Sequence, residues 1–137
     1  MSEVINQLDE LLRTMTPTLH DGVYYFATLK HDDELPFANI IASIREEEGV
    51  SVVVSEQTVA DYGLQAQFQC AWISLTVHSD LAAVGLTAAF ASALGQVGIS
   101  CNVVAGNYHD HIFVPYDKAA LAMQTLQALQ QQTQSCQ

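Results

Sequence analysis

The stretch Cys70-Ala-Trp-Ile-Ser-Leu-Thr-Val-His78 decides the fold class, because its apolar and polar side chains alternate. One set contains Ala71, Ile73, Leu75 and Val77, and the other contains Trp72, Ser74, Thr76 and His78. Successive side chains of a strand point to opposite faces, so the pattern predicts a strand with one face packed inward. Trp72 lies on the polar face, where its ring needs cover from the neighbouring half of the chain or from a second copy.

The residues after this strand predict a helix over 83–97. Ser79 or Asp80 is expected to cap that helix by accepting hydrogen bonds from its free N–H groups, and Gly98 ends it. Further elements follow, namely strands at 99–105 and 111–114, a turn at Gly106-Asn107 between them, and a last helix capped by Asp117. The glutamine-rich end, from Gln130 onward, is expected to fray.

The part before residue 65 has a less regular pattern. It predicts a helix at 3–13 that ends at Thr16-Pro17, strands at 22–29 and 51–55, and one or two helical turns at 56–62. Residues 36–47 are expected to form a short extended piece and then a short helix that carries Ile40, Ile41 and Ile44.

The order of elements in the second half is that of a ferredoxin-like sheet with helices on one face, which makes the fold class α+β. Such a sheet needs a closing strand, and nothing strand-like follows Leu129. We therefore expect the first half to supply that strand, from 22–29 or from 51–55. The domain organisation that follows is a first half at 1–64 and a second half at 65–137, clearest over 70–131, with one shared core.

Composition predicts a single soluble domain of the cell interior. The chain has 137 residues, of which 50% are hydrophobic and 14% are charged, so it can bury a core. Met1-Ser2-Glu3 does not begin a signal peptide and no apolar run reaches the roughly 20 residues that span a bilayer, so we expect a cytoplasmic protein. The formal net charge of −11 argues against nucleic-acid and anionic-membrane partners.

No residue pattern predicts catalysis, a cofactor or a bound metal. The three cysteines, at 70, 101 and 136, contain no C-x-x-C pair, so we expect reduced thiols without a disulfide. His109 and His111 share a strand face and would hold a metal only with a third ligand. The side chains that are available in principle are those of His20, Asp21, His78 and Asp80. The sequence places none of these beside the pair, so we expect a polar hairpin.

A set of segments in the second half resembles an ACT domain. The segments are Ile73-Ser74-Leu75-Thr76-Val77, Ser79-Asp80-Leu81, Gly85-Leu86, and Leu94-Gly95-Gln96-Val97-Gly98-Ile99-Ser100 running into Asn102-Val103-Val104. The ending, from Gly106 to Pro115, is similar to small bacterial proteins with two ACT-like halves in one chain. The resemblance implies a regulatory, amino-acid-binding module without catalytic activity, like the paired ACT domains of aspartokinases. We expect such a module to act allosterically, as a homodimer.

The resemblance also implies where a ligand would bind. The matching positions are Ser79, Asp80, Leu81, Gly85 and Leu86, with Val103, Val104 and Asn107 opposite. Free amides at a helix N-terminus favour a carboxylate, and Asp80 would hold an ammonium group. The chain departs from the family's compact Asp-x-Pro-Gly turn, because Leu-Ala-Ala-Val separates Asp80 from Gly85. The alternative is a structural, protein-interaction module in which Ser79 and Asp80 only cap the helix and Gly85 only allows close packing.

Overall fold

The computed structural model of the protein describes residues 2–30, 33–76 and 85–135, with the side chains described between residues 8 and 131. The helices are α1 (Ser2–Thr14), α2 (Glu56–Tyr62), α3 (Leu86–Gln96) and α4 (Ala119–Ser135). The strands are β1 (Thr16–Leu19), β2 (Tyr24–Leu29), β3 (Ala42–Glu46), β4 (Gly49–Ser55), β5 (Gln65–Thr76), β6 (Asn102–Ala105) and β7 (His109–Pro115).

The strands form one seven-stranded antiparallel sheet in the order β3-β4-β2-β5-β7-β6, and β1 pairs with β5 off this path. The twelve-residue strand β5 holds the sheet together, because one of its edges pairs with two strands in turn. Its Gln65–Cys70 part pairs with β2, and its Ile73–Thr76 part pairs with β1. The other edge of β5 pairs with β7.

Two units with the same strand order share β5. In the first unit the order is β5-β2-β4-β3, and in the second it is β1-β5-β7-β6. Each is the order of a ferredoxin-like sheet, so the predicted α+β, ferredoxin-like fold class is confirmed. The division of the chain at residues 64 and 65 stays a prediction.

The helices cover one face of the sheet, in two patches of unequal size. Beside the second unit, α1, α3 and α4 enclose a large buried cluster: Leu12, Met15, Ala71, Ile73, Leu75, Leu86, Phe90, Leu94, Ile99, Ile112, Val114, Ala122 and Leu126. Beside the first unit, α2 and the loop before β3 cover a small one: Ala27, Leu29, Val52 and Val54. The alternation predicted in β5 is confirmed, because Ala71, Ile73 and Leu75 all face the large cluster.

The opposite face of the sheet carries aromatic side chains from both units. Val53, Cys70 and Phe113 are buried there, and Tyr24, Phe26, Phe68 and Trp72 are half-buried around them. This face therefore joins the two units in one shared cluster. Burial raises the pKa of the Cys70 thiol to about 12 and that of Cys101 to about 11, and both thiols are free.

The closing strand of the second unit is β1, which the sequence analysis missed. The prediction assigned that role to 22–29 or 51–55. Residues 24–29 do reach β5, but only at its Gln65–Cys70 end. Pro17 in β1 lies opposite Leu75, and proline is tolerated there because β1 borders no further strand.

The helix predicted within 36–47 is wrong. Phe37–Asn39 forms a single 3-10 turn and Ala42–Glu46 is a strand paired with β4. The backbone N–H of Ile41 donates to the Val53 carbonyl at 2.9 Å, just before β3, and Ile44 lies within β3 opposite Ser51. Gly49 has a φ of 153°, and an added Cβ would lie 2.6 Å from the Leu29 carbonyl oxygen, so only glycine fits where this hairpin meets β2.

Several predicted boundaries shift. The helix expected over 83–97 begins at Leu86, and the strand expected over 99–105 begins at Asn102. A 3-10 turn at Tyr116–Lys118 precedes α4, which runs to Ser135, and the fraying expected from Gln130 onward stays a prediction. The Gln130 amide donates to the Arg13 carbonyl at 3.0 Å, so α4 is tied to the end of α1. Among the described residues, no helix has the length and apolar character needed to cross a membrane.

Candidate functional site

The carboxyl end of β5 and the carboxyl end of β6 lie at the same end of the second unit. Both strands are antiparallel to β7, and the register places Thr76 beside His109, and Leu75 and Ala105 on either side of Asp110. The carboxyl end of β5 therefore lies next to the turn that follows β6. Of the predicted ligand positions, Ser79, Asp80 and Leu81 lie outside the described residues.

Gly85 and Leu86 begin α3 and occupy different environments. Gly85 is the N-cap residue, with a φ of 97° and no side-chain capping bond. The predicted capping residues, Ser79 and Asp80, lie outside the described residues. A Cβ on Gly85 would meet the Leu8 side chain at 3.4 Å. Leu86 is 3% exposed and packs in the large cluster. Only its backbone is therefore placed to contact a ligand.

Val103, Val104 and Asn107 form the opposite wall of the predicted site. Val103 pairs with Ile112 and is 36% exposed, whereas Val104 pairs with His111 and packs on the aromatic face. Asn107 lies exposed in the turn between β6 and β7. The two valine side chains therefore point to opposite faces of the sheet.

Near this end, the aromatic face carries a polar group that we call the histidine network: His20, Trp72, Ser74 and His111. The His20 Nε2 atom lies 2.7 Å from Ser74 Oγ, which lies 2.8 Å from His111 Nδ1. Trp72 Nε1 donates to the same His111 Nδ1 at 3.1 Å. The rings of His20 and Trp72 stack at 3.6 Å with 9° between their planes.

The chain between β1 and β2 positions His20 over Trp72. Leu19 pairs with Ile73 and Tyr24 pairs with Cys70, so the four residues from His20 to Val23 lie opposite the two residues Ala71 and Trp72. The backbone N–H of His20 still donates to the Trp72 carbonyl at 2.9 Å. The two extra residues form a bulge. His20 in this bulge stacks on Trp72, so the first half of the same chain covers the Trp72 ring.

Burial and neighbouring charges alter the titration of this region. Burial lowers the pKa of His111, and the nearby His109 and His20 lower it further, while Asp110 opposes the shift. Burial also lowers the pKa of His20, with Asp21 acting in the opposite direction. Both imidazoles are therefore held in the neutral form at neutral pH. Burial raises the pKa of Asp110.

His109 and His111 do not form a metal site with any third ligand that the structure describes. Their ring centroids lie 6.1 Å apart, and His111 is directed into the histidine network. Within residues 2–30, 33–76 and 85–135, no group of three His, Cys, Asp or Glu side chains is placed to hold a metal ion. The buried Nδ1 of His109 has no hydrogen-bond partner within those ranges.

The first unit has a surface cavity of about 310 Å³ at the end of β2. Its lining consists of Thr28, Leu29, Lys30, Asp33, Glu34, Tyr62, Gly63, Leu64 and Gln65. The side chains that carry charge there, Lys30, Asp33 and Glu34, are exposed, and the backbone N–H of Lys30 donates to the Asp33 carboxylate at 2.9 Å. The sequence analysis assigned no role to these residues.

Family models of the ACT domain match almost the whole chain. One matches residues 4–71 and another matches residues 67–128. None of the proteins with curated descriptions matches the chain.

Solved structures show the same fold. A protein of unknown function from Vibrio cholerae, titled a possible transport protein, is 43% identical, with a TM-score of 0.81 and coverage of 93% of this chain and 98% of that one. A protein from Agrobacterium tumefaciens is 18% identical, with a TM-score of 0.64 and coverage of 85% and 89%. The regulatory subunit of aspartate kinase from Thermus thermophilus is 12% identical, with a TM-score of 0.59 and coverage of 82% and 95%.

Proposed function

Because the chain belongs to the ACT domain family, we propose that it is a regulatory module that binds an amino acid or a similar small zwitterion. The module works by binding and not by catalysis. Its ligand would shift an equilibrium between two conformations by its greater affinity for one of them. The shift would then pass to a partner protein or across a homodimer of this chain.

The ligand would bind between residues 79–86 and the end of β6. The observation that carries this proposal is that the carboxyl ends of β5 and β6 lie side by side at one end of the second unit. Gly85 at the N-cap offers no side-chain acceptor to the first amides of α3, and such amides favour an anion by about 0.3–2 kcal/mol. A ligand carboxylate would take the place of the missing cap.

Asp80 would supply the second anchor, because helix amides alone do not select a zwitterion. A carboxylate next to the ligand ammonium would form a charge-assisted hydrogen bond, which contributes about 1.5–3 kcal/mol. The backbone of Val103, Val104 and Asn107 would form the opposite wall. This arrangement predicts selectivity for ligands that carry both charges.

Calorimetry with the twenty amino acids tests the proposal. We expect at least one to bind, and we expect Asp80→Asn to weaken that binding about tenfold or more while the melting temperature barely changes, because Asp and Asn cap helices and turns equally well. Asp117→Asn is the matched control, since Asp117 lies in the turn before α4 at the other end of β7. If no amino acid gives heat, or if Asp80→Asn binds as tightly as the parent protein, the structural-module alternative takes the lead.

A further inference from the structure

We propose that the histidine network is a proton-sensitive latch, which holds the connection between β1 and β2 on the sheet at neutral pH and releases it on acidification. The inference goes beyond ligand binding and does not depend on it. It rests on the order of donors and acceptors among the atoms of Trp72, Ser74, His111 and His20.

Trp72 fixes the protonation of His111. An indole N–H only donates, and it is directed at His111 Nδ1 at 3.1 Å, so that nitrogen must present its lone pair. The neutral imidazole therefore carries its proton on Nε2. A proton added to His111 would go to Nδ1, where two N–H groups would then face each other. The contact with Trp72 and a charged His111 exclude one another.

Ser74 extends this constraint to His20. With Nδ1 of His111 as an acceptor, the Ser74 hydroxyl donates to it across 2.8 Å and accepts from His20 Nε2 across 2.7 Å. Protonation of His111 would make Ser74 Oγ the acceptor of a second N–H, so the N–H groups of His111 and His20 would compete for one oxygen. Protonation of His111 therefore weakens the bond that holds His20 as well.

The charged and titratable groups around His111 set the direction of the response. His20 and Asp21 lie on the β1–β2 connection, His109 and Asp110 lie on β7, and the described residues of β5 and β6 that face His111 are uncharged. The pKa of His111 is lowered from its ordinary 6.5. The unfolded or released chain thus takes up the proton first. The latch contributes its full stability above about pH 6.5 and loses it as the pH falls below that value towards the lowered pKa of the folded state.

NMR of the imidazole nitrogens in the full-length protein tests the arrangement. We expect His111 to carry its proton on Nε2 at pH 7 and to titrate below 6.5. Trp72→Phe keeps the ring that stacks on His20 but removes the N–H, so the pKa of His111 should rise. Tyr24→Phe is the control, because it removes a hydroxyl that donates to the Asp21 carbonyl and leaves Trp72 unchanged. A proton on Nδ1 at pH 7, or an equal pKa in the parent protein and Trp72→Phe, would overturn the proposal.

Hydrogen exchange in the parent protein tests release and does not depend on the folding of any variant. The protection factor of the His20 amide, which donates to Trp72, should fall about tenfold or more between pH 7 and pH 5. The protection factor of the Ile41 amide, which donates to Val53 far from the network, should stay constant over the same range. An unchanged protection factor at His20, or an equal fall at both amides, shows that no latch opens.

Discussion

The two units have the same strand order but bury different numbers of apolar side chains. Beside the second unit, thirteen buried residues of the described chain lie between the sheet and three long helices. Beside the first unit, four such residues lie under the seven-residue helix α2 and a loop with one 3-10 turn. The same topology is thus built with a thick and a thin apolar layer.

The N-terminal segment accounts for part of this difference. Leu12 and Met15 come from the start of the chain, yet they are buried in the large cluster, and β1 closes the sheet of the second unit. The segment then continues directly into β2 of the first unit. Position along the chain is therefore a poor guide to which unit a residue stabilises.

The largest effect that this comparison predicts is loss of folding when the second half is separated from the first. Residues 68–137 lack β1 and the side chains of Leu12 and Met15, so the fragment should show no cooperative thermal transition. Adding a peptide of residues 1–20 should restore some structure, which circular dichroism would detect. A cooperative transition of the fragment alone, as a monomer, would show that the units are independent.

The next largest effect is a difference in the stability lost when a leucine is shortened to alanine in each cluster. Leu94→Ala in the large cluster should cost about 4–5 kcal/mol, the upper end of the range for buried leucines, because Leu94 is fully enclosed. Leu29→Ala in the thin cluster should cost about 2–3 kcal/mol, because a thin layer relaxes more easily. Urea denaturation measures both. An equal or larger cost for Leu29→Ala would contradict the difference in packing.

The smallest predicted effect concerns two glycines. Replacing each by alanine should change the free energy of unfolding in opposite directions. Gly49→Ala places a Cβ against the Leu29 carbonyl at a φ of 153°, which should destabilise the first unit by about 1–3 kcal/mol. Gly95 lies in the exposed part of α3 with nothing within 4 Å of an added Cβ, so Gly95→Ala should stabilise by about 0.5–1 kcal/mol. Thermal unfolding measures both variants: the melting temperature should fall for Gly49→Ala and rise for Gly95→Ala. Shifts in the same direction would contradict the account.

The sequence predicted secondary structure correctly where one face of a strand is buried, as in β5. It was misleading where pairing with a neighbouring strand decides between helix and strand, as in β3. The alternation from Cys70 onward predicted the faces of β5, because a slip of one residue would expose Ile73 and Leu75. The isoleucines at 40, 41 and 44 fit a helical spacing equally well. Pairing of Ala42–Glu46 with β4, together with the bond from Ile41 to Val53, makes this region a strand.

The candidate site could be predicted only in part for the same reason. The resemblance pointed to residues 79–86 and the strand β6, and this assignment stays a prediction. The histidine network was missed, since His20 and Ser74 are 54 residues apart and meet only through the register of β1 with β5. The signal that could have found it was the placement of Trp72 and Ser74 on one strand face.

The central claim, that a small zwitterion binds to the second unit, is tested most directly by amide NMR of the full-length protein titrated with the amino acid that binds. The account predicts shifts at residues 79–86 and 102–107, with no change around the first-unit cavity at Lys30, Asp33 and Gly63. Saturating shifts confined to that cavity, with residues 79–86 and 102–107 unchanged, would contradict it.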